Sequence, residues 1–135
     1  MHRIEMTVRD SETYVGGIVH NSNYFNYLEH GRNAMLREAG IDFFQLASEQ
    51  GIKFTQTQSE QFYKYPLKAN DTFYVITVME KASAIQYRFV QEIRRQEGDQ
   101  ICLEASTLGV LTNEKGQPIR PPKEVLERLA LMGVQ

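Results

Sequence analysis

One long helical segment, set among segments that alternate like strands, constrains the fold of this chain more than any other feature. Its apolar residues recur with a helical period over 23–39, and Gly40 follows as a C-terminal cap. Gly31 lies within the apolar face, where a missing side chain costs about 1 kcal/mol relative to Ala. We therefore expect this helix to approach a sheet closely.

Hydrophobic alternation predicts that sheet. A first strand precedes the helix, with Ile4, Met6 and Val8 on one face. A short helix, four strand-like segments (the first of them bulged or interrupted) and a terminal helix follow, at 41–50, 53–67, 72–79, 84–95, 101–111 and 123–132. One long helix against a largely antiparallel sheet of about five strands is an α+β arrangement. We expect one domain over residues 1–135.

Composition excludes several classes of function. The 135 residues carry a net charge of −2, so nothing favours binding to nucleic acid, and the sequence lacks an apolar run long enough to span a membrane. Because Cys102 is the one cysteine, no intrachain disulfide forms, and we expect a reducing, cytoplasmic location. His2, His20 and His30 are too dispersed for a metal site, and we expect neither a metal nor a cofactor.

The loop before the long helix carries the strongest functional signal. Gly16 and Gly17 permit a tight turn and a close approach of the backbone to a ligand. Asn21, Ser22 and Asn23 follow as candidate N-caps. Free N–H groups at a helix start stabilise a negatively charged oxygen, which allows a carbonyl to be polarised without a metal. The alternative is that these residues only cap the helix.

The same stretch is similar to a known family. Residues 12–24 read Glu-Thr-Tyr-Val-Gly-Gly-Ile-Val-His-Asn-Ser-Asn-Tyr, and Glu-His-Gly-Arg follows at 29–32. With Asn-Asp at 70–71, this pattern resembles the hot-dog acyl-CoA thioesterases, in the branch that includes the 4-hydroxybenzoyl-CoA and YbgC-type enzymes. Val-Arg-Asp at 8–10 and His-Gly-Arg at 30–32 also resemble plant acyl-lipid thioesterases.

The resemblance implies a hot-dog fold, in which the antiparallel sheet wraps around the long helix. It also implies hydrolysis of acyl thioesters of coenzyme A or acyl carrier protein. A homodimer or homotetramer is expected, because this fold hides its exposed sheet edges by pairing them between subunits. Two alternatives stay open: a non-catalytic acyl-thioester-binding or scaffold protein, and a hydratase or dehydratase.

The resemblance also points to catalytic residues. The family's catalytic Asp falls on Tyr14, a phenol that neither attacks a thioester nor activates water well. Tyr14 then orients water, donates a hydrogen bond or plugs the pocket. The backbone N–H of Asn21 is the implied oxyanion donor. Glu29 either replaces the Asp or pairs structurally with an arginine three residues later. Glu12 and Asp10 are further candidates for the base. Weak hydrolysis that Tyr14→Asp raises is expected.

Substrate contacts are expected, on the same resemblance, from Gly17, Ile18, His20, Tyr24, Arg32, Lys81 and Ser83. The backbone of Gly17 and Ile18 shapes the approach of the substrate. His20 lies in the loop and acts either as a base or as a packing residue. Tyr24 belongs to an aromatic set that lines either an acyl tunnel or the core. Lys81 and Ser83 lie where family members meet the nucleotide end of coenzyme A, or else on a solvated face.

Overall fold

The computed structural model describes residues 1–134, which form strands and helices in the predicted succession. In chain order these are β1 (His2–Thr7), α1 (Asn21–Glu38), α2 (Phe43–Gln50), β2 (Lys53–Tyr63), β3 (Thr72–Lys81), β4 (Gln86–Arg95), β5 (Gln100–Thr112), β6 (Pro118–Ile119) and α3 (Lys123–Leu131).

The strands form one antiparallel sheet in the order β1-β3-β4-β5-β2, and β6 pairs with the end of β5. Helix α1 packs on this sheet against β1, β3 and β4. The predicted α+β arrangement is therefore confirmed. The sixth strand, β6, was not predicted because it has only two residues, too few to show a hydrophobic alternation.

The start of α1 differs from the sequence prediction. The helix begins at Asn21, two residues before the predicted start, and His20 is its N-cap with an extended backbone (φ −61°, ψ 138°). No side chain caps this end, so the expected N-cap roles of Asn21, Ser22 and Asn23 are wrong. The predicted end is confirmed, since Gly40 adopts φ +85° directly after the helix and donates its N–H to the carbonyl of Arg37.

Strand β2 is shorter than predicted and carries the predicted irregularity. Its register against β5 shifts between Gln56 and Gln58, which confirms the bulge. The strand ends at Tyr63 rather than continuing to residue 67. There the chain turns, and the N–H of Lys64 donates to the carbonyl of Cys102 at 2.8 Å. The edge of β2 that faces away from β5 has no strand partner within residues 1–134.

The apolar face of α1 forms the centre of the core, as its periodicity predicts. Tyr24, Tyr27, Leu28 and Met35 are all buried against the sheet. The first three belong to a cluster with β3, β4 and β5 residues, and the last belongs to a second cluster that extends under α2 and α3. Helix α1 therefore spans both halves of the core.

Gly31 sits at the closest approach of α1 to the sheet. A Cβ added at this position would lie 2.8 Å from Cγ1 of Val75 and 3.2 Å from both Nε2 of Gln91 and Oγ1 of Thr77. A real methyl group does not fit at these distances, so the glycine is required by packing. The close approach expected from the sequence is confirmed.

We predict that Gly31→Ala destabilises the protein, although alanine is the better helix former by about 1 kcal/mol. Val75 is β-branched and stiff, so the methyl group forces the helix away from the sheet, with a net cost of about 1–3 kcal/mol of unfolding free energy. Denaturant unfolding measures this change. His30→Ala, one residue earlier on the exposed face, serves as the control and should change stability by no more than about 0.5 kcal/mol. A Gly31→Ala protein as stable as the wild type would contradict the packing argument.

Candidate active site

A tight turn shapes the loop before α1. The N–H of Gly17 donates to the carbonyl of Tyr14 at 2.9 Å, and the N–H of Tyr14 donates to the carbonyl of Ile18 at 2.8 Å. Gly16 and Gly17 adopt φ +112° and +86°, which residues with a Cβ rarely adopt. The carbonyl of Gly17 also accepts from Ala69. The glycine pair thus closes the loop and fixes it to the connection before β3.

This loop leads directly into the exposed start of α1. The N–H of Asn23 donates to the carbonyl of His20 at 3.0 Å. Within residues 1–134, the N–H groups of Asn21 and Ser22 have no hydrogen-bond acceptor, and both residues are exposed. Two free donors therefore stand at the positive end of an 18-residue helix dipole, which is an arrangement able to bind an oxyanion.

Tyr14 is exposed beside this helix start and packs against His20. Their ring centroids are 3.6 Å apart with an interplanar angle of 42°. The Tyr14 side chain is 53% exposed and has no hydrogen-bond partner among residues 1–134. Tyr14 and His20 thus form an aromatic wall next to the free N–H groups. Ile18, which is 45% exposed, lies on the same turn.

Three other loop and helix groups are held by internal hydrogen bonds. One Oε1 atom of Glu12 accepts from the N–H of Arg9 and from the hydroxyl of Tyr27, each at 2.9 Å. Burial and this carboxylate raise the pKa of Tyr27. The hydroxyl of Tyr24 accepts from the N–H of Leu67 at 3.0 Å, and burial raises its pKa too. These hydrogen bonds fix the Glu12 carboxylate to the loop and to α1, and the Tyr24 hydroxyl to the connection before β3.

Glu29 and Arg32 do not form the ion pair that their i,i+3 spacing allows. No ion pair involves either residue in the part of the chain that the structure describes. Arg32 turns inward instead, with only 7% of its surface exposed, and its Nη1 donates to Oε1 of Gln91 at 3.2 Å. Burial lowers the pKa of its guanidinium, and the charge of Glu29 offsets this in part. The Glu29 carboxylate is exposed and forms no ion pair among the described residues.

An apolar cavity of about 340 Å³ opens beside Glu29 and Arg32, and we call it the α1–α2 pocket. Its walls come from α1, α2, β2 and β4, and its lining residues are Glu29, Arg32, Asn33, Leu36, Phe43, Phe44, Ala47, Lys53, Phe54, Gln56 and Phe89. Phenylalanine side chains supply most of the apolar wall. A pocket of this kind, with a few polar groups in an apolar lining, suits an acyl group.

Four residues at the candidate site share one stripe along α1. At about 100° per residue, Asn21, Phe25, Glu29 and Arg32 fall within about 80° of each other around the helix axis. The distance from Asn21 to Glu29 along the axis is eight residues, or about 12 Å. One carbonyl group cannot touch both in the same chain.

Lys81 and Ser83 lie far from the start of α1. Lys81 is the last residue of β3, and Ser83 lies in the turn between β3 and β4, where its Oγ accepts from the N–H of Gln86. The first residue of β3 follows directly on the connection that holds Gly17, so the length of the ten-residue strand separates the two regions by roughly 30 Å. The structure does not bring Lys81 and Ser83 together with the helix start within one chain.

Two buried polar residues of the site escaped sequence reasoning. Nε2 of Gln91 donates to the carbonyl of Leu28 at 2.9 Å and to Oγ1 of Thr77 at 3.0 Å, which leaves Oε1 to accept from Arg32. Both Gln91 and Thr77 are almost fully buried. The signal was present, because Gln91 stands between Phe89 and Ile93 on the inward face of an alternating strand. Because its side chain is polar, the sequence did not identify Gln91 as an inward-facing residue.

Residues 1–134 contain no group of three or more His, Cys, Asp or Glu residues placed to hold a metal ion. In the same residues, no helix combines the length and the apolar character needed to cross a membrane.

Comparison with known proteins places this architecture in a family. The sequence profile of the thioesterase-like superfamily matches residues 8–129. The chain therefore belongs to the thioesterase-like superfamily. A chloroplastic acyl-acyl carrier protein thioesterase of Arabidopsis thaliana is 31% identical over 124 residues, which amount to 92% of this chain. The chain spans 65% of that relative's length.

Solved structures confirm the hot-dog fold that the resemblance implied. A hypothetical protein of Aquifex aeolicus superposes with a TM-score of 0.86 at 30% identity, covering 96% of this chain and 99% of the other. A 1,4-dihydroxy-2-naphthoyl-CoA thioesterase of Synechocystis superposes with a TM-score of 0.87, covering 95% and 94%. Its identity is 16%, so this likeness concerns the fold alone.

Proposed function

We propose that this protein hydrolyses acyl thioesters of coenzyme A or acyl carrier protein. One observation carries the proposal: α1 presents free N–H groups at Asn21 and an unpaired carboxylate at Glu29, and the carboxylate lies at an apolar pocket. In this proposal the N–H of Asn21 is the oxyanion donor, the Glu29 carboxylate is the base, and the α1–α2 pocket holds the acyl group. Membership in the thioesterase-like superfamily supports the same reaction class.

The spacing of these groups requires a second subunit. Since about 12 Å of helix separates Asn21 from Glu29, we propose that a site combines Asn21 of one chain with Glu29 of its partner. Two α1 helices related by a two-fold axis near Phe25, the midpoint of this spacing, bring the two residues together. Phe25 is an exposed apolar residue, 50% exposed, and the unpaired edge of β2 offers a second self-complementary surface.

In the proposed reaction, the thioester carbonyl oxygen accepts a hydrogen bond from the N–H of Asn21. The Glu29 carboxylate of the partner takes a proton from water, and the resulting hydroxide attacks the carbonyl carbon. The tetrahedral oxyanion is stabilised by the N–H group and the helix dipole. When it collapses, the C–S bond breaks, and the leaving thiolate takes the proton from the carboxyl of Glu29. The products are a free acid and a thiol.

In this scheme Tyr14 is a wall of the site and not its base, because a carboxylate is available on α1. Tyr14 and His20 then shape the entrance beside the oxyanion donor, along with Gly17 and Ile18. Lys81 and Ser83 are proposed to contact the carrier, since a pantetheine arm extends well beyond the acyl pocket.

Asn21→Pro tests the oxyanion donor. Proline removes the N–H but suits the first position of a helix, and the extended backbone of His20 tolerates a following proline. We expect kcat to fall by about 10²–10³ with the melting temperature little changed. Asn21→Ala is the matched control: it loses the side chain, keeps the N–H and should keep most of its activity. Equal losses in both variants would reject the backbone N–H as the donor.

A second comparison identifies the base. We expect Glu29→Gln to lower kcat by about 10²–10⁴ without unfolding the protein, because its carboxylate has no structural partner. Tyr14→Asp should change the rate far less. The measurement is steady-state hydrolysis of a panel of acyl-CoA and acyl-carrier-protein thioesters. If Tyr14→Asp raises the rate by two orders of magnitude and Glu29→Gln has little effect, the loop position is the site of the base. If no variant hydrolyses any thioester while acyl-CoA still binds, the protein is a binding module.

Mixing two inactive variants tests the shared site. Equal amounts of Asn21→Pro and Glu29→Gln chains, unfolded and refolded together, form hybrid dimers in half of the population. Each hybrid has one intact site, made of Asn21 from one chain and Glu29 from the other. We expect activity to recover to about a quarter of the wild-type value. No recovery, although light scattering shows that the chains have reassembled, would place both groups in one subunit.

A further inference from the structure

Arg32 is a buried cation without an internal counter-ion. It is 7% exposed, and its hydrogen bond to Gln91 goes to a neutral amide. No carboxylate of residues 1–134 lies within ion-pair distance of its guanidinium. An unpaired buried charge is costly, by several kcal/mol in general, so an anion that reaches this guanidinium would be strongly stabilised.

The orientation of Arg32 is fixed by the residues behind it. Gln91 donates both of its bonds to Leu28 and Thr77, so its oxygen faces the guanidinium. The ring of Phe89 lies on another side, with its centroid 5.9 Å from Cζ of Arg32. A guanidinium has five N–H donors, and the amide of Gln91 accepts from only one of its nitrogens. The remaining donors have no protein acceptor among the described residues, and Arg32 lines the α1–α2 pocket.

The charges around the pocket also favour an anion. Lys53 lines the pocket from β2, and Glu29 lines it from the preceding turn of α1. Glu29 is exposed, whereas Arg32 is buried and reaches the pocket with the 7% of its surface that remains exposed. Two cations and one carboxylate leave the lining of the pocket with a net positive charge, and Arg32 is the buried one of the two cations.

We propose that the α1–α2 pocket binds an acyl group that ends in a carboxylate, and that Arg32 holds this carboxylate. This inference rests on the proposed function, because the substrate is then a monothioester of a short dicarboxylic acid. A carboxylate matches the fork of guanidinium donors and compensates the buried charge, which a hydrocarbon end cannot do. Arg32 lies only three residues beyond Glu29, a rise of about 4.5 Å, so the acyl group is short.

The test compares two thioesters with the same number of carbon atoms, glutaryl-CoA and pentanoyl-CoA. We expect the wild type to prefer glutaryl-CoA in kcat/KM by about tenfold or more, the size of one charged hydrogen bond. Arg32→Met should reverse this preference, and Arg32→Lys should keep part of it. Arg120→Met removes an exposed arginine outside the pocket and is the matched control, with an unchanged preference.

A binding measurement separates this inference from the proposed function. Calorimetry on Glu29→Gln, which retains Arg32, should give a lower Kd for glutaryl-CoA than for pentanoyl-CoA by a similar factor. If the wild type hydrolyses pentanoyl-CoA as well as or better than glutaryl-CoA, the inference is wrong, but thioester hydrolysis stands. If no thioester is hydrolysed but glutaryl-CoA binds more tightly, hydrolysis fails and the inference stands. The wild-type ratios decide the matter even if Arg32→Met does not fold.

Discussion

The close approach of α1 to the sheet at Gly31 determines the rest of the site. With no side chain at this position, the helix comes near enough for the carbonyl of Leu28 to accept from Gln91 on β4. That bond, with the one to Thr77, turns the amide oxygen of Gln91 toward the next helical residue, Arg32. The close packing at Gly31 therefore also determines a polar contact. Because α1 lies so near β4, Gln91 can bind both the helix backbone and Arg32, and Arg32 lies in the wall of the α1–α2 pocket.

This arrangement explains why Glu29 is free. On an isolated helix, glutamate and arginine three residues apart gain about 0.2–0.5 kcal/mol by pairing. Here Arg32 is committed to the buried amide, so the weak surface pair is lost and the carboxylate stays exposed beside the pocket. Within the described residues, the structural pair with Arg32 is therefore absent. The inward-turned guanidinium of Arg32 lies beyond ion-pair distance of Glu29, so the Glu29 carboxylate has no partner on this helix.

The sequence predicted most of the fold because the fold follows from local periodicity. The face of α1, the glycine in it and the alternation of the strands were all readable, and the bulge in β2 was expected. The start of α1 was missed because three good capping residues in a row suggested a cap, whereas the backbone of His20 makes the turn. Gln91 and Thr77 were missed because inward polar residues break the alternation that identifies a strand. Their role depends on a contact with α1 that no sequence spacing reveals.

The position of the carboxylate bears on how activity relates to assembly. A base in the loop at Tyr14 would lie beside the oxyanion donor at the start of α1, so one chain would supply both groups. A base at Glu29 lies eight residues along the same helix, too far from Asn21 for one carbonyl to reach both. If Glu29 is the base, the second chain supplies half of each site, and dissociation of the dimer abolishes catalysis even when each subunit stays folded. With the catalytic carboxylate in the loop, a single subunit would contain a complete site. With the carboxylate on the helix, only a dimer would contain one.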